Sequence, residues 1–137
     1  MVQVNMRTML AALAVLVAIP LFALWPALSG PFLFDDFANL DALAVFGEGS
    51  GLDRYVEYLT AKGAGPTGRP LSMLSFLLND VAWPAHPFWF KYTNLMIHVI
   101  NGLFLYWLVL AVIRQRFKTI SNHHAFIGVM VAGFWVL

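Results

Sequence analysis

The sequence predicts an all-α integral membrane fold: two full transmembrane helices, the start of a third, and a long outward loop of short interfacial helices. Three observations predict it. The 137-residue chain is 61% hydrophobic and only 11% charged, whereas a soluble domain carries about 25% charged residues to coat its surface. Two stretches, of 20 and 21 residues, hold no Asp, Glu, Lys or Arg, and about 20 helical residues cross a hydrocarbon core. All seven acidic residues lie between those two stretches. The same composition, with net charge +1 and no cysteine, excludes a disordered tail, a strongly basic nucleic-acid binder and a disulfide scaffold.

Residues 1–8 read as a cytoplasmic N-terminus and 9–29 as the first transmembrane helix. Met9 to Leu28 is broken only by Pro20 and Pro26. A signal peptide competes, with Arg7 as its basic region and Ala27-Leu28-Ser29 as its cleavage site. The apolar run exceeds the usual core of about 7–15 residues, and Trp25-Pro26 crowds the cut, so a retained anchor is expected. Residues 93–113 form the second transmembrane helix, uncharged apart from the titratable His98. Residues 114–124 form a basic loop, and 125–137 the start of a third helix. Thirteen apolar residues are too few to cross a bilayer, so the natural protein is expected to continue past Leu137.

Basic residues in short flanking segments mark the cytoplasmic side. Arg7 precedes the first span, and Arg114, Arg116 and Lys118 follow the second. Residues 30–92, with seven acidic against four basic residues, therefore face outward, which is the periplasm if the membrane is a bacterial inner membrane. In this loop Asp36 to Phe46 has helical apolar spacing and ends at the glycine-rich 47–51. Leu52 to Ala61 reads as a second short helix, and 62–68 as a turn. Pro70 suits the first turn of a third helix, Leu71 to about Ala82. Trp83, Phe88, Trp89, Phe90 and Tyr92 follow in the manner of an aromatic belt at headgroup level.

Chemistry is sought on the outward side. Adjacent carboxylates Asp35 and Asp36 can ligate a divalent cation, or one can act as a base towards a hydroxyl. Alternatively Asp35 caps the following helix and Asp36 complements its dipole. Arg69, just before a helix N-terminus, suits a phosphate, or snorkels to lipid headgroups; Lys91 has the same two readings. Asn94, His98 and Asn101 share one face of the second span. A polar stripe inside a span either serves function or bonds another helix. His123-His124 reads as a solvated loop pair, a poor metal site alone. The sequence holds no phosphate loop, dinucleotide fingerprint or metal-spaced His/Cys set.

Four blocks resemble, in order and spacing, the C-type glycosyltransferases. They are Phe34-Asp35-Asp36-Phe37, the run Gly68-Arg69-Pro70-Leu71 to Asn79, Pro87-Phe88, and Asn94 to Asn101. The likeness is to multi-spanning membrane proteins that often carry tetratricopeptide repeats, with O-mannosyltransferases and bacterial pilin glycosyltransferases in the broader group. The resemblance covers about residues 8 to 113. It implies a polyprenyl- or dolichyl-phosphate sugar donor, a protein or glycan acceptor on the outer face, a setting of membrane lipid, and no nucleic acid. Carried over, Asp35 or Asp36 is the base or metal-associated carboxylate, Arg69 holds the donor phosphate, and His98 with Asn101 lines the donor cavity. Such enzymes have about ten or more spans, so the chain is expected to be an N-terminal portion, inactive alone. Two other functions are open: a non-enzymatic subunit docking through the Asn94/His98/Asn101 face, or a transporter fragment with His98 as a proton relay.

Overall fold

The computed structural model describes residues 5–45, 51–60, 69–79, 84–117 and 119–137, without the side chains of Asp35 and Val45. The break at 47–50, the turn at 62–68, Trp83 and Lys118 lie outside the described residues. Within them the secondary structure is helical, with no strand.

Helix α1 spans Met6–Leu24. The Asn5 side chain starts it by accepting from the Thr8 amide at 2.7 Å and the Thr8 hydroxyl at 2.9 Å, satisfying a donor that the first turn leaves open. Pro20 lies inside α1 and is buried, so the Leu16 carbonyl lacks its helical donor there. A 3₁₀ segment, Trp25–Ser29, carries the helix on through Pro26.

Four short elements follow. Helix α2 spans Asp35–Leu40 and passes into a 3₁₀ segment at Asp41–Val45, where one helix to Phe46 was expected. Helix α3 spans Leu52–Thr60 and α4 spans Pro70–Leu77. Helix α4 stops short of the expected Ala82 because Asn79 turns the chain. Its amide donates to the Phe76 carbonyl at 2.9 Å, and its side chain to the Ser75 carbonyl at 2.7 Å.

Helix α5, Pro87–Phe117, is 31 residues long and outruns the apolar stretch 93–113 at both ends. Pro87 at its first position lacks only an N–H that would be unpaired anyway. Arg114 and Arg116 in its last turn complement the helix dipole. Charge ends an apolar run without ending a helix. The aromatic residues 88–92 thus belong to α5 and divide between its faces: Trp89 is exposed, Phe90 is buried instead of joining a belt at the surface, and Phe88 stacks on Tyr92, with ring centroids 6.2 Å apart and planes 9° apart.

Helix α6, Asn122–Val136, begins before the expected Ala125, because Ser121 caps it. The Ser121 hydroxyl accepts from the His124 amide at 3.4 Å, and the Ser121 amide donates to His124 Nδ1 at 3.2 Å. His123 and His124 therefore occupy the first helical turn instead of a loop, and the His124 ring stacks on Phe117 at 5.0 Å.

Two helical segments, Met6–Ser29 and Pro87–Phe117, are long and apolar enough to cross a membrane. At about 1.5 Å per residue each exceeds a hydrocarbon core of about 30 Å. Only 17% of each apolar window is buried within the protein, whereas the core helix of a soluble domain would be mostly covered. Helix α6, at 15 residues, falls short of that length.

The chain divides into two compact units. Met1–Ala27 and Asn94–Leu137 form the first, in which α6 packs on α1 and α5. Its core gathers Ala12, Leu16, Tyr106 and Ala132. Helix α6 buries Ala125, Gly128, Ala132 and Val136, a stripe of small residues that lets backbones approach closely. Leu28–Thr93 form the second unit, cored by Leu40, Leu43, Tyr58, Met73 and Phe90.

Tyr58 is 3% exposed, and its hydroxyl donates to the Asn39 carbonyl at 3.2 Å. Burial pushes its phenol up from 10.0 to about 12. In the unfolded chain it ionises near 10, so its contribution to stability is complete below that pH and is lost as pH rises towards 12. Alkaline unfolding followed by helical circular dichroism should therefore show stability falling across that interval. Tyr58→Phe should flatten this dependence, and an unchanged slope would rule Tyr58 out as its source.

Candidate functional site

The acidic pair follows a strained turn. Phe34 is 90% exposed and has φ 33° with ψ −96°. This lies outside the regions L-residues favour and costs on the order of 1–3 kcal/mol. Asp35 opens α2, and Asp36 follows it with a half-buried side chain. Asp36 Oδ2 accepts from the Leu33 amide at 2.8 Å, while the Asp36 amide donates to the Leu33 carbonyl at 2.8 Å. Phe34 occupies the cap position of α2 and makes no side-chain cap bond, and the Asp36 carboxylate bonds the amide just before it instead of an amide of the first turn. Reaching back across the turn fixes one Asp36 oxygen and leaves the carboxylate a second acceptor atom.

Arg69 is the cap residue of α4, exposed, with an extended φ of −142°. Its carbonyl accepts from the Met73 amide at 2.9 Å, and its side chain makes no cap bond. Arg69 thus stands in sequence at a helix N-terminus, the setting in which first-turn amides can receive an anion. Among the described residues no ion pair joins Asp36 to Arg69. Lys91 donates from Nζ to the Pro31 carbonyl at 2.8 Å.

The polar stripe belongs to the first unit, where α5 buries Leu95, Val99, Gly102 and Tyr106. Asn94 and Asn101 are exposed and His98 is half-buried, so the stripe flanks the packed face. The His98 ring lies 6.1 Å from the Trp135 ring, tilted by 32°. Asn101 lines an apolar groove with Phe104, Leu105, Trp107, Leu108 and Trp135.

Among the described residues no three His, Asp or Glu side chains converge as a metal site. A hard cation held by one or two carboxylates takes its other ligands from water and phosphate, and the exposed turn at Asp36 leaves room for them.

Besides the Lys91 and Tyr58 bonds, sequence reasoning missed two further contacts. Thr93 Oγ1 donates to Asn79 Oδ1 at 2.6 Å, tying the end of α4 to α5, and Phe32 meets Phe90 edge-on at 5.8 Å. Neither leaves a periodic signal, since each joins residues distant in the chain. Compared with protein-family profiles, with curated proteins and with solved structures, the chain matches none.

Proposed function

We propose that the chain is a membrane-embedded portion of a glycosyltransferase that moves a sugar from a polyprenyl- or dolichyl-phosphate donor to an acceptor hydroxyl at the outer membrane face. The observation that carries this reading is the strained turn that sets Asp36 at the start of α2, with one oxygen fixed by the Leu33 amide. Strain of this kind collects at functional sites, and a part-exposed, oriented carboxylate is what a general base needs. In this reading Asp36 or Asp35 takes the acceptor proton as the new bond to the sugar's anomeric carbon forms. The bond from that carbon to the donor phosphate breaks, and polyprenyl phosphate leaves. Arg69, the cap residue of α4, holds the phosphate. By the resemblance His98 and Asn101 bind the donor, and of the two Asn101 lines an apolar groove of the first unit. Asp35 and Asp36 would hold a divalent cation, which would neutralise charge on the leaving phosphate. The two apolar helices anchor the chain in the bilayer, with residues 30–92 outward and the N-terminus cytoplasmic. Asp35→Asn and Asp36→Asn, assayed for sugar transfer in the complete enzyme, test the proposal.

The exposed Asn94 and Asn101 favour a second reading, a subunit that docks another helix on this face. Polar side chains turned towards lipid are unfavourable and usually meet protein. In that case His98→Leu should abolish co-purification of the partner. Transfer activity residing in the complete chain would remove this alternative.

A further inference from the structure

We infer that Lys91 is a positioning residue for the acidic turn, and that the first turns of α5 brace the strained backbone at Phe34. For its catalytic consequence the inference rests on the transferase reading; its geometry stands apart from it. Lys91 Nζ reaches across 60 positions of sequence to the Pro31 carbonyl at 2.8 Å. The preceding residue, Phe90, is buried in the core of the unit, and its ring meets Phe32 edge-on with planes at 75°. Phe32 in turn meets Phe37 edge-on at 6.4 Å. The chain is therefore fastened on both sides of Phe34-Asp35-Asp36, upstream at Pro31 and Phe32 and downstream at Phe37.

A non-glycine residue at φ 33° persists only where its surroundings over-determine it. The two bonds between Leu33 and Asp36 close the turn but are local, and move with it as a unit. Only contacts to a separate element fix where the turn points, and Lys91 and Phe90 supply them from adjacent positions of one helix. The ammonium strengthens its bond because a charged donor binds a carbonyl more firmly than a neutral one.

The test is backbone amide exchange of the chain in lipid nanodiscs, read at Leu33 and Asp36. Lys91→Met keeps the aliphatic stem and removes the donor. It should speed exchange at both amides by about 10-fold, with the α3 amides unchanged, and Lys91→Arg should restore protection. In a Phe34→Gly background the same Lys91→Met change should alter exchange by less than about 3-fold, because glycine adopts this backbone without restraint. Unchanged exchange in Lys91→Met overturns the inference, as does an equal effect in both backgrounds. Loss of protection through α3 as well, not recovered in Lys91→Arg, assigns Lys91 to general folding and also overturns it. In the complete enzyme Lys91→Met should lower kcat about 10-fold while the donor KM stays within about 3-fold. Faster exchange in a protein with no transferase activity in any form retains the brace and removes the transferase reading. Transfer abolished by Asp36→Asn, with exchange indifferent to Lys91→Met, does the reverse.

Discussion

Asp36→Asn should lower sugar transfer by about 10²–10⁴-fold, the range that a positioned base contributes, while the protein still inserts and folds. The substitution is chosen for its shape. An asparagine carbonyl oxygen still accepts from the Leu33 amide, which the Asp36 carboxylate holds at 2.8 Å, so the turn survives and only the basic charge is lost. Asp36→Ala also removes that acceptor, and should add faster exchange at Leu33 to the loss of activity. Comparing the two separates chemistry from architecture. Asp35→Asn settles which of the adjacent carboxylates carries the proton, the larger loss marking the base. Measured with a labelled polyprenyl-phosphate sugar and an acceptor in membranes, full transfer by the Asp35→Asn/Asp36→Asn double variant would end the glycosyltransferase proposal.

Gly128→Leu should destabilise the packing of α1, α5 and α6 by about 1–3 kcal/mol, the usual cost of overfilling a packed site. A Cβ at Gly128 would lie 2.9 Å from the Tyr106 ring, inside van der Waals contact, and Tyr106 is itself a buried member of that core. Neither side has slack, since Ala132 one turn further along α6 is also buried. Gly128→Ala should show part of the same effect. Gly133→Ala is the control: its added Cβ meets nothing within 4 Å, and replacing glycine in a helix removes a penalty of up to about 1 kcal/mol. Denaturant unfolding in detergent micelles measures all three. Equal stability of the Gly128 and Gly133 variants would show that the small-residue stripe does not set the helix spacing.

Helix type and position were largely legible because apolar spacing and chain length report directly on helices. The apolar runs from Met9 and Thr93 became α1 and α5, and Pro70 did open α4. Ends were less legible, for an identifiable reason. The uncharged run stops at Thr93, yet α5 continues back to Pro87, since Lys91 and the aromatics before it disturb hydropathy and not helix geometry. His123 and His124 looked like loop because they follow a basic cluster; the Ser121 cap draws them into α6.

The candidate site divides in the same way. Asp35, Asp36, Arg69 and the Asn94/His98/Asn101 stripe were identifiable from residue type and spacing, because carboxylates, a pre-helical arginine and an i, i+4, i+7 face are local patterns. Their environments were not. That Phe34 takes a positive φ and that Asp36 turns back onto Leu33 are details of backbone geometry that residue type does not announce, and that Lys91 bonds the Pro31 carbonyl depends on segments far apart in the chain. Composition and periodicity settle which stretches are helical and how apolar each is, since those are properties of neighbouring residues. The orientation of the acidic turn is a tertiary result, because a strained backbone is held only by contacts that the folded chain brings to it.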